Sequence, residues 1–242
     1  MERLSAYLTL VVALAFALAP AVTNPFSGFE ADQLPIPQIN PPIQPAGYAF
    51  SIWGVIYIWL VVSAVYGTLK RSTSPEWTRA RWPLIVSMTI GVPWLAIANA
   101  SAIWATVTII LMAVGAIVAL VRAPAHDRWW FQAPTAIYAG WLTAASCVSL
   151  GTTMAGYGVL FASIGWAYVG IVTGLVAAIT VFRQRRQAPE YLFTVIWALF
   201  GIVVANGTDI IGVTVLSGLG ILALVANIYY PRWRRSRAQN TP

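Results

Sequence analysis

The residues that could hold a ligand in this chain are aromatic, and they follow a proline-rich stretch. Residues 40–60 read NPPIQPAGYAFSIWGVIYIWL, an uncharged loop that runs into an apolar helix. Phe50, Trp53 and Tyr57 are spaced i, i+3, i+7, so a helix places them on one face. This aromatic stripe predicts the wall of an apolar pocket, with the stiff proline segment as its lid. Simple packing, or an aromatic belt at a membrane surface, is the alternative interpretation.

A second aromatic stripe follows the same spacing further along the chain. Tyr138, Trp141 and Ala145 are again i, i+3, i+7, and Ser149 extends that face. The small Ala145 leaves room for a neighbouring helix or for a flat ligand. The two stripes together predict a slot for a planar apolar molecule, with Asn99 and Ser149 as its few polar contacts.

Residues suited to acid–base, nucleophilic or metal chemistry are scarce. The single Cys147 lies in an apolar run, and the single His126 lies in a charged loop. Asp209 stands at a helix end, where capping is its expected role. No disulfide within the chain, nucleophile–base set or metal-ligand set is predicted. The pattern disfavours a hydrolase, a metalloenzyme and an ion-coupled transporter, which carries ionisable residues inside its spans.

The composition indicates a membrane protein. The chain is 59% hydrophobic and 9% charged, whereas soluble domains carry about 25% charged residues. The net charge of +7 does not predict a nucleic-acid partner, because the basic residues flank apolar runs and form no patch of their own. The expected partner is the lipid bilayer.

The apolar runs predict an all-α, polytopic membrane helix bundle of about eight transmembrane helices. The uncharged runs 83–121 and 129–182 are each too long for one span and must fold back, at Asn99–Ser101 and at Gly156–Gly158. Pro93 is expected to kink its helix. Predicted helices cover 4–22, 48–69, 83–99, 102–121, 129–154, 159–182, 190–206 and 209–230. The first run also resembles a signal peptide, and its removal would leave seven helices in the same orientation.

The basic residues test this topology. With the N-terminus inside, every Lys and Arg falls on one side: at Arg3, in loops 70–81, 122–128 and 183–186, and in the tail 232–242. The opposite loops, 23–47, 99–101, 155–158 and 207–209, contain none. Since basic loops stay in the cytoplasm, we expect an inner or plasma membrane protein with both termini cytoplasmic. The proline-rich loop then lies outside.

These motifs resemble the TspO family, also called the translocator protein or tryptophan-rich sensory protein family. The family's loop-to-helix motif is matched by Pro41-Pro42, Tyr48-Ala49-Phe50 and Trp53-Gly54-Val55-Ile56-Tyr57. Its asparagine–tryptophan motif has a loose counterpart in Asn99 and Trp104. Its motif in the fifth helix is matched by Tyr138, Trp141 and Ala145, although Ser149 stands where the family usually has asparagine.

The resemblance implies a domain division. Residues 1–154 correspond to the family's five-helix unit, with the outer loop at 23–47. Residues 155–231 would add three transmembrane helices, and 232–242 a basic cytoplasmic tail. The chain is therefore similar to a longer form of the family.

The resemblance also implies a function. Family members bind porphyrins, haem and sterols in a pocket closed by the first loop, with a part in sensing or tetrapyrrole handling. No cofactor is required, porphyrin or haem would be a ligand, and a homodimer is an open alternative. An enzyme is not expected, apart from the porphyrin photodegradation ascribed to some members.

Helix breaks at Asn99 and Asn206 keep a transporter of a neutral or lipid-like solute as the alternative. The candidate ligand-binding residues are Pro41, Pro42, Tyr48, Phe50, Trp53, Tyr57, Trp94, Asn99, Tyr138, Trp141, Ala145 and Ser149.

Overall fold

The computed structural model describes residues 1–239, which form a bundle of nine α-helices without a strand. The all-α prediction is confirmed. The helices are α1 (Glu2–Leu18), α2 (Ile52–Lys70), α3 (Pro75–Gly91), α4 (Trp94–Ala100), α5 (Ala102–Val121), α6 (Ala133–Gly156), α7 (Ser163–Gln184), α8 (Pro189–Asn206) and α9 (Ile211–Gln239). The predicted basic tail therefore continues α9 as far as Gln239, and its last three residues lie outside the described part.

Four predicted helix starts differ from the structure by four residues or more. The helices predicted from 129 and 159 begin at Ala133 and Ser163. The helix predicted from Tyr48 begins at Ile52, because Gly47–Ser51 forms a 3₁₀ turn. The helix predicted from Pro83 begins at Pro75, so Pro83 lies inside it. Ser74 caps this helix by accepting a hydrogen bond from the Trp77 amide at 3.5 Å. A capping serine, a proline at the first position and an acidic residue in the first turn are ordinary signals for the start of a helix. The charged residues of this segment had instead suggested a loop.

The expected kink at Pro93 is confirmed. Helices α3 and α4 are bent by 40° across Val92 and Pro93 and together pass as one broken span. A proline removes a backbone donor and crowds the preceding turn, which breaks the helix here.

The protein is a multi-pass membrane protein. Six of the described helices are long and apolar enough to cross a bilayer, and the bent pair α3–α4 makes up to seven. The remaining long helix, α6, has 24 residues, but its threonine, serine and glycine residues lower its hydropathy. An eighth span at α6 stays a prediction.

Helix α6 is the centre of the bundle. It packs against α5, α7 and α8 and touches α2, while α1 joins α2 to α3 and α9 covers α7 and α8. Small residues permit this closeness: a Cβ on Gly140 would lie 2.5 Å from the Tyr191 carbonyl oxygen of α8. Because α6 is enclosed by other helices instead of lipid, it can carry polar residues that a lipid-facing span could not.

The loops that carry basic residues are tied together at one end of the bundle, which we call the basic end. The Asp127 carboxylate accepts hydrogen bonds from Arg71 Nε at 2.8 Å and from Trp77 Nε1 at 2.8 Å. Arg81 Nη2 donates to the carbonyl oxygens of Gly67 and Arg71, which caps α2. The Arg185 guanidinium donates to the Ala123 carbonyl oxygen, so the three loops meet.

Candidate functional site

An apolar cavity lies beneath the long loop between α1 and α2. It encloses about 70 Å³, and its walls come from the loop, α2, α4, α5, α6 and α8. Half of the residues singled out from the sequence line it: Phe50, Trp53, Trp94, Trp141, Ala145 and Ser149.

The two aromatic stripes meet at this cavity. Phe50 meets Trp141 edge-on with ring centroids 5.7 Å apart, and Trp53 meets Trp141 at 6.3 Å. The sequence interpretation that the stripes of α2 and α6 face each other is therefore confirmed. Trp141 is 2% exposed and stands at the corner where both walls join.

Below Trp141 the predicted slot is filled by protein. Tyr57 stacks on Trp53 at 5.2 Å, and Phe16 of α1 packs edge-on against Tyr57 at 5.0 Å and Tyr138 at 5.7 Å. The Tyr138 hydroxyl pairs with Ser87 Oγ at 2.9 Å. Tyr57 and Tyr138 thus belong to the core below the cavity and do not line it.

The proline segment enters the bundle and does not lie over it. Pro41, Pro42 and Pro45 are buried. Asn206 Nδ2 donates to the Pro42 carbonyl oxygen at 2.8 Å, and the Ala46 amide donates to the Gly201 carbonyl oxygen at 3.0 Å. The segment therefore runs along α8, and neither Pro41 nor Pro42 lines the cavity.

Ile43 is the deepest part of this segment, and we call residues 41–46 the proline wedge. A Cβ on Gly170 of α7 would lie 2.2 Å from Ile43 Cδ1, and one on Gly151 of α6 would lie 3.0 Å from it. The two glycines create the space for the isoleucine side chain. The Ile43 side chain thus lies between α6 and α7 at these two glycines, next to the cavity.

The α2 end of the loop also rests on α8. Trp197 Nε1 donates to the Ala49 carbonyl oxygen at 3.0 Å. Tyr48 is 41% exposed and meets Trp197 edge-on at 5.4 Å, outside the cavity.

The first half of the loop closes the cavity from the side of α4. Phe26 packs edge-on against Trp94 at 5.2 Å and against Phe29 at 5.6 Å. Asn99 Nδ2 donates to the Asn24 carbonyl oxygen at 3.2 Å, and Gln33 Nε2 donates to the Ala98 carbonyl oxygen at 2.9 Å. Asn99 therefore holds the loop and lies outside the cavity lining.

Two buried polar atoms of the cavity lining have no hydrogen-bond partner within the described residues. They are Trp141 Nε1 and Thr152 Oγ1. A buried donor or acceptor left unpaired costs about 1–3 kcal/mol. A ligand that brings an acceptor to this wall would recover that cost, so the site suits a mostly apolar molecule with a polar edge.

Comparison with protein families identifies the chain. The model described as TSPO-like protein matches residues 4–229, nearly the whole chain. The chain belongs to the TSPO-like protein family. No curated protein and no solved structure matches it.

The TSPO-like match extends beyond the part suggested by the motifs. The motifs ended near residue 154, whereas the match continues through α7 and α8 and into α9. Helix α8 contributes Ala198 to the cavity wall and holds the proline wedge. Helix α8 of this TSPO-like chain, which lies beyond the part that carries the motifs, thus takes part in building the cavity.

Sequence reasoning missed several residues of the TSPO-like cavity. Thr152 is i+3 from Ser149 and i+7 from Ala145, so extending the second stripe by one turn would have found it. Phe26 and Phe29 belong to a loop, where no helical period applies. Ala198 carries no sequence signal, because an alanine in an apolar helix is expected at any packing position.

Proposed function

We propose that this protein binds a planar, mostly apolar ligand, with a porphyrin as the first candidate and a sterol-like molecule as the second. Its role would be sensory or in tetrapyrrole handling. The observation that carries the proposal is the buried aromatic cavity whose Trp141 Nε1 has no partner in the described chain.

The lining of the cavity supports this choice of ligand. Trp53, Trp94 and Phe50 offer aromatic faces and edges against which a flat conjugated ring packs favourably. Trp141 Nε1 is a donor only, whereas the Thr152 hydroxyl both donates and accepts. The ligand therefore needs a flat apolar body and an acceptor at its edge, such as the carbonyl, carboxylate or hydroxyl oxygen of a substituent.

Binding of a porphyrin in this cavity would require the loop to move. The cavity encloses about 70 Å³, whereas ligand pockets measure about 300–1,000 Å³. A smaller cavity of about 30 Å³ lies behind Ile43 and shares Ala144, Val148 and Ala198 with the first. Withdrawal of the proline wedge would join the two spaces, because Ile43 fills the region beside their common wall.

Titration of protoporphyrin against the tryptophan fluorescence of the purified protein tests the proposal. We expect saturable quenching, and about tenfold weaker binding in Trp141→Phe, since one hydrogen bond of about 1.4 kcal/mol is lost while the ring stays. Trp104→Phe is the control, because Trp104 is 64% exposed and lies outside the cavity. Absence of saturable quenching, or equal affinities in wild type and Trp141→Phe, would rule the proposal out.

A transporter of a neutral or lipid-like solute is the second candidate. The broken span α3–α4 favours it, because Trp94 and Leu95 follow the 40° bend and line the cavity. Discontinuous helices mark binding sites in many transporters. Accumulation of a solute in vesicles, lost in Pro93→Ala while protoporphyrin still binds, would favour transport. Binding without accumulation of any tested solute would favour sensing.

A further inference from the structure

A second recess lies on the outside of the bundle between α2 and α8, and we call it the lateral groove. It encloses about 400 Å³, and none of its residues lines the loop cavity. Helix α6 supplies its floor through Ile137, while Val55 and Phe193 form its sides. Val55 and Phe193 are 50% and 49% exposed. The groove exists because α2 and α8 are not among the closely packed helix pairs of residues 1–239.

One end of the lateral groove is charged. Glu190 lines it and is only 8% exposed. Glu190 Oε1 accepts hydrogen bonds from Arg128 Nε at 3.0 Å and from Arg128 Nη2 at 2.5 Å. Glu190 Oε2 is buried and has no partner within the described part of the chain. An ionised oxygen left unpaired at the edge of a bilayer is costly and calls for a donor.

The position of this pair matches a lipid headgroup. Glu190 lies in the first turn of α8, next to the loop at 185–188, and therefore at the basic end. The Arg128 side chain is 42% exposed, and its guanidinium carbon lies 4.9 Å from the centre of the Trp129 ring. Tryptophan and arginine at this level are typical of the region where headgroups lie. The apolar part of the groove continues from Glu190 toward Val55, in the direction an acyl chain would take.

We propose that the lateral groove binds a phospholipid with a primary ammonium headgroup, of the ethanolamine class. The ammonium donates to Glu190 Oε2, the phosphate lies at the Arg128 guanidinium, and one acyl chain packs along Phe193 and Val55. The headgroup is a zwitterion, and Glu190 and Arg128 present the complementary pair of charges. A choline headgroup has no N–H and cannot satisfy the carboxylate, and a glycerol headgroup carries no positive charge.

Native mass spectrometry of the full-length protein tests this assignment. The protein is exchanged into detergent that contains equal amounts of ethanolamine, choline and glycerol phospholipids with identical acyl chains. We expect the ethanolamine lipid to be retained about tenfold over the choline lipid, as a charge-assisted hydrogen bond of about 1.5 kcal/mol or more predicts. Glu190→Gln should remove this preference, and Val55→Trp should reduce retention of all three lipids by filling the groove.

Glu76→Gln is the matched control, because the Glu76 side chain is 59% exposed at the basic end and does not line the groove. Equal retention of ethanolamine and choline lipids would overturn the proposal, as would a preference that survives both Glu190→Gln and Val55→Trp. If Glu190→Gln does not fold after losing its pairing with Arg128, Val55→Trp decides alone, because it leaves that pair intact. Because the groove and the loop cavity share no residue, this outcome is independent of protoporphyrin binding.

Discussion

At the scale of single residues, the lining of the cavity of this TSPO-like protein contains two polar atoms without a partner among residues 1–239, Trp141 Nε1 and Thr152 Oγ1. Most buried hydroxyls of the bundle find a partner: Thr106 Oγ1 pairs with Thr153 Oγ1 at 2.8 Å, and Thr143 Oγ1 pairs with the Tyr191 hydroxyl at 2.9 Å. Thr152, the residue next to Thr153, has no partner for its Oγ1 in residues 1–239. The consecutive threonines Thr152 and Thr153 of α6 therefore have different expected roles, Thr152 in binding and Thr153 in stability.

We predict that Thr152→Val leaves the thermal midpoint unchanged or raises it, because an apolar group of the same shape replaces an unsatisfied hydroxyl. Affinity for protoporphyrin should fall several-fold, since the ligand loses a polar contact. Thermal unfolding in detergent and the fluorescence titration measure the two effects.

Thr106→Val is the control for this substitution. It should destabilise the fold by about 1 kcal/mol, because Thr153 Oγ1 then loses its partner in the interior. A loss of stability in Thr152→Val equal to that in Thr106→Val would show that the Thr152 hydroxyl is paired in the protein.

The stability of the fold is expected to depend on pH through the pKa of Asp127. Burial raises the pKa of this carboxyl, but hydrogen bonds from Arg71 and Trp77 and the charge of Arg71 outweigh burial and lower it. A carboxyl whose pKa is lower in the folded state stabilises the fold above its unfolded pKa of about 3.9. This contribution is lost as the pH falls through the folded pKa, below about pH 4.

We therefore predict that the thermal unfolding midpoint of the wild type decreases when the pH is lowered below about 4, in part because Asp127 becomes protonated. Asp127→Asn should have a lower midpoint at pH 7 and a smaller decrease on acidification. Midpoints recorded between pH 3 and 7 for both proteins measure the difference. If the midpoints of the two proteins changed in parallel with pH, Asp127 would not contribute to the pH dependence of stability.

At the scale of the elements, the proline wedge acts as a segment of the core. Its backbone is bonded to α8 through Asn206 and Gly201, and Ile43 occupies the space left by Gly151 and Gly170. Proline restricts the backbone, so the segment is inserted at little cost in conformational entropy.

We predict that Gly170→Ala displaces the wedge, because its Cβ would lie 2.2 Å from Ile43 Cδ1. Overpacking of a core commonly costs about 1–3 kcal/mol. Hydrogen exchange of the Ala46 amide should become faster, since its bond to the Gly201 carbonyl oxygen is weakened.

Gly218→Ala in α9 is the matched control, because among the described residues no atom lies within 4 Å of its added Cβ. This substitution should leave exchange in the loop unchanged. Unchanged exchange at Ala46 in Gly170→Ala would contradict the insertion of Ile43 between α6 and α7.

At the scale of the whole molecule, the charge distribution and the helix contacts describe the same arrangement. The basic loops converge through Asp127 and Arg185. The long loop between α1 and α2, which contains no Lys or Arg, is bonded to Asn99, Gly156 and Asn206 at the ends of α4, α6 and α8. The bundle thus has a basic end and an apolar loop end, which is the asymmetry expected for a protein inserted by the positive-inside rule.

We predict that the loop end faces the outside of the cell. Ile39→Cys, at a site that is 76% exposed, should react with a membrane-impermeant maleimide in intact cells. Thr73→Cys, in the exposed turn between α2 and α3, should react only after permeabilisation. The native Cys147 lies within α6, and labelling of the unsubstituted protein measures the reaction of Cys147 itself. The opposite labelling pattern would show that the loop end faces the cytoplasm.

Part of the cavity could be predicted because it follows the helical period. Phe50, Trp53, Trp141 and Ala145 were identified by the spacings i, i+3 and i+7, which hold in any helix. The same period could not separate Trp53 from Tyr57, or Trp141 from Tyr138. That distinction depends on Phe16, a residue of another helix that fills the space beside both tyrosines.

The sequence by itself determined the helical class, the membrane setting, the kink at Pro93 and the two aromatic stripes, because each depends on neighbouring residues along one chain segment. Only the tertiary structure decided that the proline segment is inserted against α8, that Thr152 Oγ1 is left unpaired and that α2 and α8 leave a groove. These features depend on which helices become neighbours. In an apolar sequence that choice is made by glycine and alanine contacts, which have the same local pattern wherever two helices pack closely.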